Sequence, residues 1–283
     1  MPNAAQAERW GGAGGQHWID FEAGYDRQLE PFGIALLDAA ALRPDQRMLD
    51  VGCGTGTALL TAADTAGFVL GVDISPRLVA RAQVRAAGRT NVEVRVADAQ
   101  TATFEPAFDV IISRFGLMFF DDPRAAFANL RGALLPEGRL VAICWQALDR
   151  NDWMRIPGEA LSTVVPLGDL AEPDQPGPFS LADPAEVEAI LTDAGWHDTR
   201  LDPVDAPVLL SGGGSLEDAV GFVRRGSLGR SALGGVASDV EATALAAVRD
   251  ALAPFQTSRG VELAGAAWLV HTHAGSGTRR PHR

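Results

Sequence analysis

The sequence predicts an α/β fold, in which a seven-stranded, mostly parallel sheet carries helices on both faces. Three observations support this prediction: short apolar segments alternate with helical ones between residues 48 and 145, a glycine-rich turn follows the first strand, and acidic residues follow three of the strands. Strands that alternate with helices form parallel sheets with right-handed crossovers. We therefore expect these segments to form one sheet.

Apolar and β-branched segments predict strands over residues 48–51, 68–73, 92–96, 108–113 and 138–145, with a sixth at 196–207 and the last at 261–270. Helical segments fill the intervals, over residues 33–41, 57–66, 76–87, 124–135, 154–164 and 183–194 and within 215–255. Their ends carry the expected residues: Ser75 is an N-cap with Pro76 at N1, Asp183 caps a later helix and Gly195 ends it.

The same patterns divide the chain into four parts. Residues 1–30 are polar and glycine-rich and form a predicted N-terminal lid, and residues 31–149 form a ligand-binding core. Residues 150–273 complete the sheet and carry helical cap insertions at about 150–182 and 212–258. Residues 274–283 are predicted to be a disordered tail.

Composition excludes several classes of protein. The net charge of −12 argues against nucleic acid and acidic membranes as partners. All 24 basic residues are arginine, which excludes P-loop kinases and Schiff-base enzymes because both need a lysine. No segment has a signal-peptide pattern or the length to span a bilayer, and the two cysteines suit a reducing compartment, so we expect a cytoplasmic protein.

The loop after the first strand is the most informative segment. Gly52, Gly54 and Gly56 occupy positions 1, 3 and 5 of the turn, whereas a dinucleotide loop has glycine at positions 1, 3 and 6. The preceding Asp50 would repel a pyrophosphate and attract an ammonium group. The loop therefore favours a nucleoside with a cationic tail over NAD.

Residues 49–56, L-D-V-G-C-G-T-G, resemble the first motif of the class I S-adenosylmethionine-dependent methyltransferases, in particular the small-molecule enzymes of the methyltransferase-11 type. Acids after the next two strands and the apolar fourth strand follow in the family's order, so the resemblance covers residues 48–145. It implies a Rossmann-like fold and S-adenosyl-L-methionine as cofactor. By this resemblance Gly52, Gly54 and Gly56 lie against the methionine part, Asp50 orients the loop or the ammonium, and the main chain of Arg114 holds the amino-acid tail.

The other cofactor contacts come from the next two strands. Asp73 lies about twenty residues past the loop, at the end of the second strand, where an acid can accept both ribose hydroxyls. Its neighbour Ile74 is assigned to the same site. The resemblance places Asp98 and the Ala99 amide at the adenine.

Aromatic and basic residues of the N-terminal segment complete the predicted site. Trp18 and Tyr25 are predicted to contact the cofactor, since a sulfonium cation gains from aromatic faces; the alternative is packing of a mobile terminus. His17 is the predicted catalytic base, and its alternative is a packing or surface histidine. At least one of Phe115, Phe119 and Phe120 is expected to face the ligand, because all three follow a strand's carboxyl end.

These residues predict a methyltransferase that acts on O, N or C of a small, hydrophobic molecule, in cytoplasmic secondary metabolism. The acidic character of the insertions favours a neutral or cationic acceptor over a phosphorylated one. The alternatives are a cofactor-binding protein without transfer activity, one that uses the cofactor in a non-methylating reaction, and an NAD(P) or flavin oxidoreductase. No metal is predicted, since His271 and His273 lack further ligands, and the oligomeric state stays open between monomer and homodimer.

Overall fold

The architecture was obtained from a computed structural model, which describes residues 2–170 and 175–275. The predicted tail therefore lies outside the described residues from 276 onward, as do residues 171–174 of the first insertion. The seven strands are β1 (Arg47–Val51), β2 (Phe68–Asp73), β3 (Val92–Val96), β4 (Phe108–Arg114), β5 (Leu134–Trp145), β6 (His197–Leu209) and β7 (Glu262–His273).

The strands form one sheet in the order β3-β2-β1-β4-β5-β7-β6. Strands β1 to β5 run parallel to one another, and β7 alone runs antiparallel, paired with β5 on one side and β6 on the other. Helices cover both faces, which confirms the predicted Rossmann-like, mostly parallel sheet. Because the order reverses next to β1, the carboxyl ends of β1 and β4 open a crevice where such sheets bind ligands.

The described chain has twelve α-helices: α1 (Ala4–Gly11), α2 (Ala13–Asp20), α3 (Glu22–Gln28), α4 (Glu30–Ala40), α5 (Thr57–Ala62), α6 (Pro76–Arg85), α7 (Pro123–Gly132), α8 (Asp152–Ser162), α9 (Pro184–Asp193), α10 (Leu216–Arg225), α11 (Ser227–Leu233) and α12 (Ser238–Leu252). The predicted caps are present, since the Ser75 hydroxyl accepts from the Leu78 amide and the Asp183 carboxylate from the Ala185 amide.

Two predicted boundaries were wrong for local reasons. Helix α5 ends at Ala62 rather than Ala66, and the side chain of Asn91 donates to the carbonyls of Ala63 and Ala66 just beyond it. Strand β5 begins at Leu134 rather than Gly138, because Leu134 already pairs with Phe108 across an irregularity in the ladder. The helix predicted over residues 124–135 therefore ends at Gly132.

The N-terminal segment is more regular than its sequence indicates. Residues 4–28 form three consecutive helices, α1 to α3, of seven or eight residues each. Helices this short are unstable alone, so tertiary contacts must hold them. The Ser75 hydroxyl donates to the Trp10 carbonyl at 2.7 Å, and the Arg81 guanidinium donates to Glu22 at 2.8 and 2.9 Å. These contacts place α1 to α3 beside α6, over the carboxyl end of the sheet.

Candidate functional site

A cavity of about 240 Å³ lies at the carboxyl edge of the sheet, below the N-terminal helices. Every predicted site residue except Gly56 lines it, namely His17, Trp18, Tyr25, Asp50, Gly52, Gly54, Asp73, Ile74, Asp98, Ala99 and Arg114. The carboxyl ends of four neighbouring parallel strands, β3, β2, β1 and β4, bring the residues from Asp50 to Arg114 together, and helices α2 and α3 contribute His17, Trp18 and Tyr25. The fold thus brings residues that are spread over about a hundred positions of the sequence into one site.

The glycine loop needs its glycines for different reasons. Gly52 and Gly54 both have positive φ, of 69° and 56°. A Cβ at Gly52 would come within 2.9 Å of the Gly116 Cα, whereas at Gly54 it would meet only the Trp18 Nε1, at 3.9 Å. Gly54 therefore borders open cavity, where a side chain would take the space of a ligand.

Gly56 corrects the predicted set of three ligand-facing glycines. It does not line the cavity, and a Cβ there would lie 3.3 Å from the Cβ of Ala82 on α6. Gly56 is the N-cap residue of α5, and its φ of 92° is a conformation that favours glycine. This glycine serves the turn into the helix and the approach of α6, a distinction that spacing alone does not make.

Asp73 ends β2 with both carboxylate oxygens held by backbone amides. The amide of Gly54 donates to Oδ2 and the amide of Ser75 to Oδ1, each at 2.9 Å. Burial raises the pKa of Asp73, and these two hydrogen bonds oppose that rise. Each carboxylate oxygen keeps a further lone pair, so a rigid acceptor pair faces the cavity.

Asp98 has a partner that the sequence did not indicate. The side-chain amide of Asn3 donates to Asp98 Oδ1 at 2.8 Å and to the Gln100 side chain at 3.1 Å. Asn3 is held in turn by Asp121, whose amide donates to its side chain at 2.7 Å. The start of the N-terminal segment is thereby fastened to the edge of the predicted adenine site.

Two buried ionisable side chains, Asp50 and Arg114, lie beneath the glycine loop. Asp50 is 1% exposed, and burial raises its pKa to about 7, although the nearby Arg114 guanidinium acts in the opposite direction. The Asp50 Oδ2 has no hydrogen-bond partner. Arg114 is itself largely buried and lies 4.0 Å from Asp26 of α3. A free carboxylate oxygen close to a buried guanidinium is complementary to an ammonium and a carboxylate on one ligand.

Aromatic rings form much of the remaining wall. The rings of Trp18 and Tyr25 stack at 4.0 Å between centroids, and both line the cavity. Phe115, Phe119 and Phe120 line it too, in agreement with the prediction that at least one would do so.

Phe115 has a further feature that no sequence pattern indicates. Its φ is 61°, a conformation that is costly for a bulky residue, and its ring stacks on Trp145 at 4.1 Å. Backbone strain of this kind is concentrated at ligand sites, and here it turns the ring into the cavity wall.

His17 lines the same cavity and is 9% exposed. Burial lowers its pKa to about 4, with further contributions from Arg230 and Arg225. Its ring packs 4.7 Å from Phe21 and 5.8 Å from Tyr25, while Nε2 has no hydrogen-bond partner. At neutral pH the imidazole is therefore uncharged, and its Nε2 is not engaged by protein.

Other polar groups take no part in this site. His271 and His273 lie on β7, away from the cavity, and within residues 2–170 and 175–275 no three or more His, Cys, Asp or Glu side chains are grouped to hold a metal. Cys53 lines the cavity as a buried free thiol, and Cys144 is buried in the sheet. In the same described ranges, none of the helices combines the length and apolar character needed to cross a bilayer.

Comparison with known proteins agrees with this site. Residues 49–142 match a family model described as a methyltransferase domain. Phosphoethanolamine N-methyltransferase 1 of Triticum aestivum is 34% identical over 165 residues, which is 57% of this chain and 30% of that protein. Aklanonic acid methyltransferase of a Streptomyces species is 33% identical over 116 residues, covering 39% of this chain and 53% of that protein.

A solved structure shows the same fold. Haemonchus contortus phosphoethanolamine N-methyltransferase 2, in complex with phosphomonomethylethanolamine and S-adenosylhomocysteine, has a TM-score of 0.52 at 20% identity over 86% of this chain and 52% of that one. The chain spans about half or less of the length of the curated relatives it matches. Residues 49–142 are therefore a methyltransferase domain, and the strand order and the motifs around the cavity support the class I S-adenosylmethionine-dependent methyltransferases as its family.

Proposed function

We propose that this protein transfers the methyl group of S-adenosylmethionine to a small, largely apolar molecule. The observation that carries the proposal is the convergence of unpartnered polar atoms on one cavity. Five buried side-chain polar atoms of the described residues lack a hydrogen-bond partner, and four of them belong to cavity-lining residues, namely Gln6, His17, Gln28 and Asp50. Because such atoms are costly to bury, their concentration in one place favours a polar ligand there.

The residues present fit the expected cofactor. Asp50 supplies a free carboxylate oxygen for the ammonium, and the Arg114 guanidinium suits the carboxylate of the same amino-acid tail. Asp73 offers two fixed oxygens for a pair of hydroxyls. The open space beside Gly54 accommodates a ligand that a side chain would exclude. The same set disfavours a dinucleotide, because a pyrophosphate would meet the Asp50 carboxylate.

S-adenosylmethionine, when bound, supplies a methyl group already activated on a sulfonium. The protein's own contribution is then orientation and exclusion of water. Correct orientation can lower a barrier by about 7–11 kcal/mol, whereas general base catalysis adds about 10²–10⁴-fold. Helices α1 to α3 cover the cavity and shield it from solvent, and the stacked Trp18 and Tyr25 present aromatic faces to a cation.

His17 is the proposed proton acceptor. Its unpartnered Nε2 is neutral at physiological pH and can take a proton from a hydroxyl or an amine of the acceptor. A pKa of about 4 makes it a weak base, so we place its contribution at the lower end of the general-base range. The acceptor's apolar body would lie against Phe115, Trp145 and Trp153, which line the cavity.

Two measurements test the proposal. Calorimetry with S-adenosylhomocysteine and with NAD should show binding of the first only, and the reverse result would indicate an oxidoreductase. A cell extract incubated with methyl-labelled S-adenosylmethionine and the protein should yield a labelled small molecule. Cofactor binding without any labelled product in extracts of the source cells would favour a binding protein without transfer activity.

A further inference from the structure

Two arginines from separate parts of the chain line the cavity, and neither has a carboxylate partner among the residues that the structure describes. Arg9 belongs to α1 and Arg230 to α11, and both residues are exposed to solvent as well as lining the cavity. The guanidinium of Arg9 lies 5.6 Å from the ring centroid of Trp10, and that of Arg230 donates to the Arg225 carbonyl. Over the described ranges, 2–170 and 175–275, neither guanidinium forms an ion pair.

The electrostatics of this end of the cavity are positive. Burial and the Arg230 guanidinium together lower the pKa of Arg9, and Arg230 also contributes to the low pKa of His17. Two cations that disfavour each other's charge are therefore kept close enough to interact. An anionic group of a ligand, bound between the two guanidinium groups, would relieve that repulsion.

The acids that line the cavity, Asp50, Asp73 and Asp98, lie toward the sheet. Asp73 accepts from the Gly54 and Ser75 amides, and Asp98 accepts from Asn3. Asp50 lies below the glycine loop beside Arg114. None of these three carboxylates is paired with Arg9 or Arg230, so the cavity is acidic toward the sheet and basic toward the N-terminal and cap helices.

We propose that the methyl acceptor carries an anionic group, a carboxylate or a phosphate, which Arg9 and Arg230 bind at the mouth of the cavity while its apolar body lies on the aromatic wall. This inference rests on the proposed function and names the acceptor class. It departs from the neutral or cationic acceptor that the acidic character of the insertions favours, because the charge of a segment averages all its residues, whereas the fold selects which of them reach the cavity. Arginine suits this task since its planar fork binds carboxylate and phosphate through two hydrogen bonds.

The test uses four probes with one apolar body: 2-naphthoate, 2-naphthyl phosphate, 2-naphthamide and 2-naphthol. Binding of each to the full chain is measured by calorimetry, with and without S-adenosylhomocysteine. We expect one anionic probe to bind at least about tenfold more tightly than the two neutral ones, and the better anion identifies the group.

Arg9→Gln and Arg230→Gln should each remove most of that preference while S-adenosylhomocysteine affinity is unchanged. Arg249→Gln, which replaces an arginine of α12 that pairs with Glu217 of α10, is the matched control.

Equal binding of anionic and neutral probes, no binding of either anion at millimolar concentration, or an anion preference that survives both arginine substitutions would overturn the inference. The proposed function fails separately, if S-adenosylhomocysteine does not bind. In that case the probe series on the chain alone still decides whether the arginines bind an anion.

Discussion

Asp73 ends β2 and Asp98 follows β3, yet the surroundings of the two carboxylates give them different tasks. Asp73 is buried, and two backbone amides fix both of its oxygens. Asp98 is only partly buried, and its carboxylate accepts a hydrogen bond from the side chain of Asn3. A single residue's role therefore depends on which groups the fold brings to it, and two substitutions test this at the residue scale.

Asp73→Ala should weaken binding of S-adenosylhomocysteine at least roughly tenfold, because each charge-assisted hydrogen bond contributes about 1.5–3 kcal/mol. Calorimetry measures the affinity, and circular dichroism checks that the variant folds. Asp205→Ala, which removes an exposed ion pair with Arg150, is the control and should bind normally. Unchanged affinity in Asp73→Ala would exclude this carboxylate from the ribose site.

His17→Asn should lower turnover by about a hundredfold or more while S-adenosylhomocysteine affinity stays nearly constant. Asparagine keeps a polar side chain of similar size but cannot accept a proton in this pH range. Labelled methyl transfer to the acceptor found in the extract measures the rate. Turnover within about threefold of the unsubstituted protein would remove His17 from the mechanism and leave catalysis by orientation.

At the scale of single elements, the glycine loop and the N-terminal helices are the parts on which the site depends. The loop belongs to a predicted strand–turn–helix unit and its conformation follows from local geometry. Helices α1 to α3 depend instead on distant partners, such as Ser75 and Arg81 of the α6 region. We therefore expect the glycine loop and the N-terminal helices to respond differently to mutation and to ligand.

Gly54→Ala and Gly88→Ala form a matched pair for the loop. Both glycines have positive φ, 56° and 86°, so alanine strains each backbone by a similar amount, roughly 1–2 kcal/mol. A Cβ at Gly88 meets nothing within 4 Å, and Gly88 is not part of the cavity wall. Thermal melting should show similar losses of stability, whereas calorimetry should show a loss of cofactor affinity in Gly54→Ala alone. Equal affinities would mean that the loop's glycines are only structural.

Hydrogen exchange in α1 to α3 should slow when S-adenosylhomocysteine is added, because their side chains line the cavity and their short length makes them open readily. Mass spectrometry resolves these peptides, and α12, which does not contribute to the cavity wall, provides the internal control. Glu22→Gln should speed exchange in α3 without ligand, since it weakens the contact with Arg81. Protection that ligand leaves unchanged would contradict the predicted lid.

For the whole molecule, the ionisation of Asp50 couples the site to the free energy of unfolding. Its pKa is about 7 in the folded protein and near 3.8 in an unfolded chain. The folded state therefore binds one more proton than the unfolded state between these values, and stability falls as pH rises through this window. A shift of this size corresponds to a free energy on the order of 4 kcal/mol.

Asp50→Asn should consequently be more stable than the unsubstituted protein at pH 7.5, with the difference shrinking toward pH 5. Urea denaturation at several pH values measures it, and Asp64→Asn, at an exposed position, should show no such trend. A stability difference that is constant with pH would show that the fold does not raise the pKa of Asp50.

The linear sequence by itself determined the strand–helix alternation of residues 47–145, the loop at Gly52 and Gly54, and the acids at Asp73 and Asp98. These features are local: a strand, a tight turn and a capped helix each need particular residues within a few positions. They are also sufficient to identify the family, since the motif spacing reflects the parallel sheet.

Only the tertiary structure decided which residues from distant segments share the cavity. Asn3 reaches Asp98, Arg9 and Arg230 come from opposite ends of the chain, and Gly56 turns toward α6 instead of the ligand. No periodicity records such pairings, because they depend on how α1 to α3 and the cap helices pack on the sheet. The charge at the acceptor end of the site follows from that packing, whereas composition reports only the sum over all residues.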